Sequence, residues 1–169
     1  TINDLSKTID TFRDFTHDES VIEFNLSELL MKCIQTETHL FELCKITFVT
    51  NLDETINLIN LPNSLRQAFV NILINAKDAL EKSSKQRYIF VDAYMKNGRA
   101  MISIKDSAGG ISTEHINKVF EPYFTTKHKS NGTGLGLYMT HQIVTKHFKG
   151  TIYVENNEYE YDGKKLKGA

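Results

Sequence analysis

The stretch that decides the fold runs from Gln67 to Ala79 and reads Gln-Ala-Phe-Val-Asn-Ile-Leu-Ile-Asn-Ala-Lys-Asp-Ala. Apolar residues recur in it at steps of three and four, which is typical of an amphipathic helix. Pro62 suits a first helical turn, so the helix is predicted to run from there to about Ser84. Its predicted core stripe consists of Leu65, Phe69, Ile72, Ala76 and Leu80.

The same helix carries a polar row, Asn71, Asn75 and Asp78. At 100° per residue these three side chains fall within about 60° of one another. A buried amide without a partner costs about 1–3 kcal/mol, which a polar ligand would remove. Amide and carboxylate oxygens suit Mg²⁺, which is usually shared with substrate phosphates. The alternative, commoner for a lone helical Asn, is that the amides face solvent or cap a neighbouring backbone.

The composition describes one folded domain of 169 residues, with 40% hydrophobic and 24% charged residues. The formal net charge of -1 excludes a global basic field, so we expect no nucleic-acid partner and only a local anion site. Cys33 and Cys44 are predicted to be reduced structural thiols. The sequence shows neither a membrane span nor a signal peptide. We therefore expect a cytoplasmic fragment without direct membrane contact, from a parent that could be anchored in an inner membrane.

Two further helices and two short strands are predicted before the central helix. Spacing of three and four through Ile2, Leu5, Ile9 and Phe12 indicates a first helix, either amphipathic or part of a coiled-coil seam. A second helix is expected to open with Ser27 as its N-cap and to run to about Leu43. Residues 45–50 and 55–61 are rich in Ile, Val and Thr, and are predicted to be a pair of strands around a turn.

A hairpin is the strongest prediction after the central helix. Residues 88–95 and 99–105 flank Asn97-Gly98, and this dipeptide supplies the two positive-φ residues of a tight turn. The remaining predicted elements are a short helix near 113–119, a helix over about 135–148, a last strand at 151–155 and a polar tail.

The hairpin is followed by Asp106-Ser-Ala-Gly-Gly-Ile111. An Asp that closes a strand before small residues makes a corner where a flat ligand can approach the backbone and meet a carboxylate. Taken alone, the motif is more often an ordinary Asp-initiated turn.

A cluster of aromatic residues comes next, Phe120-Glu-Pro-Tyr-Phe-Thr-Thr-Lys127. It ends in two hydroxyls and a cation. The simplest interpretation is core packing for the aromatic rings and a solvated position for Lys127.

Gly132-Thr-Gly-Leu-Gly-Leu137 is a glycine-rich loop that runs into a predicted helix. A helix N-terminus offers free N–H groups to a phosphate, although glycines before helices are common. The chain lacks a P-loop ending and the signatures of protein kinases. The glycines also follow a polar loop instead of a strand, which argues against a dinucleotide fold.

Taken in order, the four motifs resemble the N box, first glycine box, phenylalanine box and second glycine box of the catalytic and ATP-binding domain of sensor histidine kinases, in the GHKL superfamily. The resemblance spans roughly residues 22–155. It implies an α+β fold, a two-layer α/β sandwich whose mixed sheet has helices on one face and holds ATP under a mobile lid. It also implies that residues 1–18 are a helix remnant, the end of the second helix of the dimerisation hairpin, and that residues 22–169 form the catalytic domain.

The resemblance also implies individual roles. Asn75 resembles the Mg²⁺-binding amide, Asn71 its companion near the phosphates, and Asp106 the carboxylate that accepts a hydrogen bond from the adenine amino group. Asn71 and Lys127 are the residues expected to act in phosphoryl transfer. The other residues expected at the nucleotide are Asp78, Gly110, Ile111, Thr126, Gly132, Thr133, Gly134, Leu135, Gly136 and Leu137.

A bacterial-type kinase of this family would pass the γ-phosphoryl of ATP to a histidine on the hairpin of a homodimer, for relay to a response-regulator receiver domain. Related ATPases carry a Glu at the position of Asn71 that activates water, and an amide cannot do so. Transfer is therefore favoured over hydrolysis. The alternative from another class is a nucleotide-binding module that only switches a lid and a partner surface.

The sequence departs from the family pattern in several places. The acceptor histidine's helix is not among these residues, and His17 lies in a polar linker with no following Pro. The loop over residues 126–133, which corresponds to the lid, contains no Arg. Ala108 stands where the family often has a glycine. Residues 164–169 end where the family's final apolar strand would begin, so that strand is expected to be missing.

Overall fold

A computed structural model describes residues 19–82, 86–126 and 133–169. The predicted N-terminal helix over residues 1–18 lies outside the described residues. So do the predicted site residues Lys127 and Gly132. In chain order the elements are β1 (Ile22–Asn25), α1 (Leu26–Leu43), β2 (Ile46–Leu52), β3 (Asn57–Asn60), α2 (Pro62–Glu81), β4 (Arg87–Lys96), β5 (Arg99–Asp106), a 3₁₀ turn (Ile116–Lys118), α3 (Gly136–Gln142), a π-helical turn (Ile143–His147), β6 (Asn157–Tyr161) and β7 (Lys164–Gly168).

The central sheet has the strand order β2, β4, β5. β2 runs parallel to β4, and β5 runs antiparallel to it, so the sheet is mixed. Helices α1 and α2 cover one face, where alternate residues of β4 are buried against them. The core between the layers contains Leu26, Leu30, Phe41, Leu65, Phe69, Leu73, Leu80, Ile89, Val91 and Ala93. The predicted α+β architecture, a mixed sheet with helices on one face, is confirmed.

The β4–β5 hairpin forms as predicted. Asn97 has a φ of 51° and Gly98 a φ of 73°, the conformation that a two-residue turn of this kind requires. The ladder extends from Lys96 opposite Arg99 to Ile89 opposite Asp106. This register places Asp106 at the far end of the sheet from the turn.

The predicted pairing of the two strands after α1 is wrong. β2 pairs with β4, whereas β3 pairs antiparallel with β1. The predicted N-cap is also wrong, because the side chain of Asn25 accepts the hydrogen bond from the Glu28 N–H at 3.1 Å. Ser27 instead donates its hydroxyl to the Asn25 side chain at 2.8 Å.

Helix α2 ends at Glu81, slightly earlier than predicted, and its core stripe differs at one position. Leu73 is fully buried, whereas Ile72 is half-buried. The N-terminus of α2 has no side-chain cap of its own. The carboxylate of Glu19 fills that role by accepting hydrogen bonds from the backbone N–H groups of Asn63 and Ser64 and from the Ser64 hydroxyl.

Arg87 anchors the other ends of both helices. Its guanidinium donates to the carbonyl of Cys44 at 2.7 Å, just after α1, and to the carbonyl of Glu81 at 3.1 Å, the last residue of α2. Helix C-termini present carbonyls without intrahelical donors, so a cation there is stabilising. Both cysteines are free thiols, as predicted.

The C-terminal region differs most from the prediction. Residues 151–155 form no strand, and the residues expected to be a polar tail without a final strand form the β6–β7 hairpin instead. This hairpin covers part of the sheet face opposite the helices, where the Phe90 ring lies 5.2 Å from the Tyr159 ring and 5.1 Å from the Tyr161 ring. The short helix predicted near 113–119 is only a 3₁₀ turn, and the predicted helix over 135–148 is α3 followed by the π-helical turn.

Candidate functional site

The polar row on α2 faces the start of α3. The Asn71 side-chain amide lies 3.4 Å from the Gly136 carbonyl, to which it donates. The Asn75 amide donates to the Asn71 carbonyl one turn earlier at 2.8 Å. Both side chains are half-buried. The structure therefore brings Asn71, Asn75 and Gly136 together, as the sequence predicts. The bond of Asn75 to the backbone of its own helix agrees with part of the alternative interpretation, in which the amides bond a neighbouring backbone.

A buried hydroxyl lies at the contact between α3 and α2. Thr140 is completely buried, and its hydroxyl lies 3.0 Å from the Gly136 carbonyl and 3.5 Å from the Ala68 carbonyl. A Cβ on Gly136 would sit 3.9 Å from both the Asn71 and the Asn75 amide. The first turn of α3 thus lies so close to the polar row that an added methyl group would be in van der Waals contact with both amides.

Asp78 continues the row but takes part in an ion-pair cluster. The Lys77 ammonium lies 3.1 Å from the Asp78 carboxylate and 2.9 Å from that of Glu81. Burial lowers the pKa of Lys77, but its hydrogen bonds to Glu81 and Asp78 outweigh that effect and raise it. Lys77 therefore stays charged and neutralises part of the acid at this end of α2.

Asp106 ends β5 as a largely buried carboxylate. Burial raises its pKa, although hydrogen bonds from the backbone of Ala108 and Ala169 oppose the shift. The Ala108 N–H donates to its Oδ1 at 2.8 Å. A carboxylate in such a position is an acceptor that can recognise an amino group, and solvent competes little for it.

The loop after Asp106 turns through two positive-φ glycines, Gly109 at 101° and Gly110 at 85°. Asn156 holds this loop through the backbone of Ile111, whose N–H and carbonyl both bond the Asn156 amide. Sequence reasoning missed Asn156, as well as Tyr159, which donates its hydroxyl to the Asp106 carbonyl. No local signal reveals either residue, because the contacts span 45 and 53 residues of sequence.

The glycine-rich loop that contains Gly134 packs against the backbone of the aromatic motif at Tyr123 and Phe124. Gly134 has a φ of 67°, and a Cβ there would lie 2.5 Å from the Tyr123 carbonyl carbon and 2.8 Å from the Phe124 oxygen. The Leu135 N–H lies 3.4 Å from the Thr133 hydroxyl. Thr126 and Thr133 flank residues 127–132, whose lid role stays a prediction. Leu137 lies in the first turn of α3.

An open cavity of about 690 Å³ lies elsewhere, beside the start of α1 and the end of β2. None of the predicted site residues that the structure describes is among those lining it. Its lining includes the carboxylates of Glu28 and Glu54, which would repel phosphates. These two acidic residues make the cavity unfavourable for an anionic ligand.

The described residues limit what kind of metal site is available. They contain no group of three or more His, Cys, Asp or Glu side chains arranged to hold a metal ion. A metal at the polar row would thus depend on amide oxygen and on oxygens brought by its ligand, which is the usual manner of Mg²⁺. Within the same residues, no helix is both long enough and apolar enough to cross a membrane.

Comparison with known proteins gives a family match over residues 60–167, to the model described as histidine kinase-, DNA gyrase B-, and HSP90-like ATPase. Sensor histidine kinase ZraS of Escherichia coli is 39% identical over 97 residues, which cover 57% of this chain and 20% of that protein. The matched residues span between 10% and 28% of the length of these curated relatives.

Solved structures share the fold. The mycobacterial sensor histidine kinase MprB superposes with a TM-score of 0.70 at 23% identity, over 88% of this chain and 98% of that one. Histidine kinase ThkA, in a complex with the response regulator protein TrrA, superposes with a TM-score of 0.64 at 18% identity, over 99% of this chain and 47% of that one.

Proposed function

Because the chain belongs to the family of histidine kinase-, DNA gyrase B- and HSP90-like ATPases, we propose that it is the ATP-binding catalytic unit of a two-component sensor histidine kinase. Residues 22–169 would form this unit, and residues 1–18 the end of the dimerisation helix. The observation that carries the proposal is the position of Asn71 and Asn75, two half-buried amides that lie against the first turn of α3.

The residues present fit ATP and Mg²⁺. Asn75 would bind the metal, Asn71 and the backbone of residues 133–137 would bind the phosphates, and Asp106 would bind the adenine amino group. Gly110 and Ile111 would line the purine side, with Asp78, Thr126, Lys127 and Gly132 bordering the pocket. Bound Mg²⁺ would neutralise charge on the phosphate oxygens. The row of amides supports this fit, because the Asn71 and Asn75 side chains lie together beside the first turn of α3, where their amide groups can serve phosphates and a hydrated cation.

The chemistry at Asn71 favours transfer to a protein acceptor. An amide has no basic site for a water proton at neutral pH, so this residue can orient a group but cannot activate water. The acceptor would be a histidine on the dimerisation hairpin of a homodimer. Lys127 would supply positive charge near the transferred phosphoryl. Relay to a response-regulator receiver domain fits the complex of a fold neighbour with such a protein.

Radiolabel transfer separates this proposal from its rivals. The chain is mixed with γ-labelled ATP, Mg²⁺ and a separately made histidine hairpin. Label on the hairpin supports the kinase. Binding of ATP without transfer supports a switching module, and release of phosphate without any hairpin supports a hydrolytic ATPase.

Two substitutions test the placement of the ligand. Asp106→Asn should weaken ATP far more than inorganic tripolyphosphate, because only ATP carries the amino group. Asn75→Ala should remove the Mg²⁺ dependence of ATP binding. Asn157→Ala is the matched control, because its amide bonds the exposed Glu155 carboxylate at 3.2 Å. Unchanged binding in both site variants would contradict the placement.

A further inference from the structure

Both ends of the Asn156 side-chain amide bond one backbone position of the Asp106–Ile111 loop. Its Oδ1 accepts from the Ile111 N–H at 2.7 Å, and its Nδ2 donates to the Ile111 carbonyl at 2.6 Å. Oδ1 also lies 2.5 Å from the position that a Cβ on Gly110 would take. The amide therefore makes the two backbone hydrogen bonds that a residue of an adjacent strand would make. Only a glycine at position 110 allows the amide to approach the loop this closely.

The β6–β7 hairpin holds the other end of the same loop. The Tyr159 hydroxyl donates to the Asp106 carbonyl at 2.5 Å, and burial followed by the nearby Asp106 charge raises the pKa of Tyr159 to about 12. The phenol thus remains a donor throughout the neutral range. The Gly109 N–H donates to the Lys167 carbonyl at 2.9 Å, and the Asp106 N–H to the Ala169 carbonyl at 3.0 Å.

The position of the Asp106 carboxylate matters because a carboxylate accepts hydrogen bonds but, when ionised, cannot donate them. Adenine presents an amino donor at ring position 6, whereas hypoxanthine presents an oxygen acceptor there. A site that pairs a buried acceptor with one base leaves it opposed to an acceptor on the other. Discrimination between the two bases therefore depends on how firmly the loop backbone fixes this carboxylate.

We propose that Asn156 and Tyr159 are positioning residues that hold the Asp106–Ile111 loop so that it selects adenine over 6-oxopurines. The inference rests on the proposed function, and it assigns a role in nucleotide selectivity to the stretch from Asn156 through the β6–β7 hairpin. Neither side chain needs to touch the nucleotide. Both act through the backbone of the loop that they bond.

The test is calorimetric titration of the whole chain with MgATP, MgITP and magnesium tripolyphosphate. Asn156→Ala removes both bonds to Ile111, and Tyr159→Phe removes one hydroxyl while keeping the ring against Phe90. For each variant we expect the ratio of the ITP and ATP dissociation constants to fall about tenfold, the size of one to two lost hydrogen bonds. Tripolyphosphate affinity should stay unchanged, and Asn157→Ala should match the wild type in all three titrations.

The outcomes distinguish the inference from the proposed function. A wild type that prefers ATP to ITP, with variants that lose this preference alone, supports the inference. Variants that keep the full preference overturn it. Equal weakening of all three ligands also overturns it, because a purely structural role would not be selective for the base. A wild type that does not distinguish ATP from ITP contradicts the placement of Asp106 itself. Tyr159→Phe provides the result if Asn156→Ala does not fold.

Discussion

Substitution of Gly134 by Ala should disrupt the contact between the glycine loop and the aromatic motif. The added Cβ would lie 2.5 Å from the Tyr123 carbonyl carbon, 2.7 Å from the Tyr123 oxygen and 2.8 Å from the Phe124 oxygen. Real Cβ atoms do not approach backbone this closely, so one of the two segments must move. Because Gly134 has a φ of 67°, the substitution also places an L-residue in the left-handed region, at a cost of about 1–2 kcal/mol.

Gly163 is a matched control, because its φ is 69° and nothing lies within 4 Å of the position that a Cβ would take there. Gly163→Ala therefore carries the backbone cost alone, about 1–2 kcal/mol of unfolding free energy. Gly134→Ala carries that cost and an overpacking cost of about 1–3 kcal/mol. The sum for Gly134→Ala is roughly 2–5 kcal/mol, a large part of the stability of a domain of this size.

Urea unfolding of both variants measures these free energies, and ATP titration measures the effect on the site. We expect Gly134→Ala to be the less stable variant and to bind ATP more weakly, while Gly163→Ala keeps wild-type binding. Equal unfolding free energies for the two variants, together with unchanged ATP affinity, would refute the packing of the glycine loop on the aromatic motif.

Three further predictions concern the frame of the site. Arg87→Ala should lower the free energy of unfolding by about 1–3 kcal/mol in urea denaturation, because two helix-end carbonyls lose a charged donor. Arg99→Ala, at the exposed end of the hairpin, should change this free energy little. Equal effects of the two substitutions would contradict the anchoring role of Arg87. Glu19→Ala should cost about 1–2 kcal/mol of unfolding free energy through loss of the α2 cap. Glu23→Ala, an exposed position of β1, should cost less than about 0.5 kcal/mol. A neutral Glu19→Ala in the same assay would argue against the cap. Asp106→Asn should relieve a desolvated charge. Burial raises the pKa of Asp106 in the folded state, so above about pH 4 the folded state binds more protons than the unfolded state. The free energy of unfolding of the wild type therefore falls as the pH rises through the raised pKa. The stability advantage of Asp106→Asn should therefore grow from about pH 4 to neutral pH in urea titrations, and an advantage that shrinks over this range would contradict the burial of the carboxylate.

Local patterns predict the elements whose partners are close in sequence. The Asn97-Gly98 turn fixes its own hairpin, and the four-residue steps on α2 place Asn71 and Asn75 on one face. These features depend on backbone geometry within a few residues. The resemblance of four motifs in order then supplies the fold that joins them.

Long-range contacts account for what the sequence could not reveal. β2 pairs in parallel with β4 across the whole of α2, so its proximity to β3 in sequence is misleading. Leu73 replaces Ile72 in the core because neighbouring residues on a helix differ by only 100°, and packing against α1 and the sheet decides between them. Asn156 lies in a stretch that looks like a polar tail, and only its two bonds to Ile111 identify its role.

The most direct test of the account is a crystal structure of the chain with Mg²⁺ and a slowly hydrolysed ATP analogue. We predict the adenine at Asp106, the metal at Asn75 and the phosphates along residues 133–137. Electron density for the nucleotide in the cavity lined by Glu28 and Glu54, or a polar row without nucleotide at saturating concentration, would contradict it.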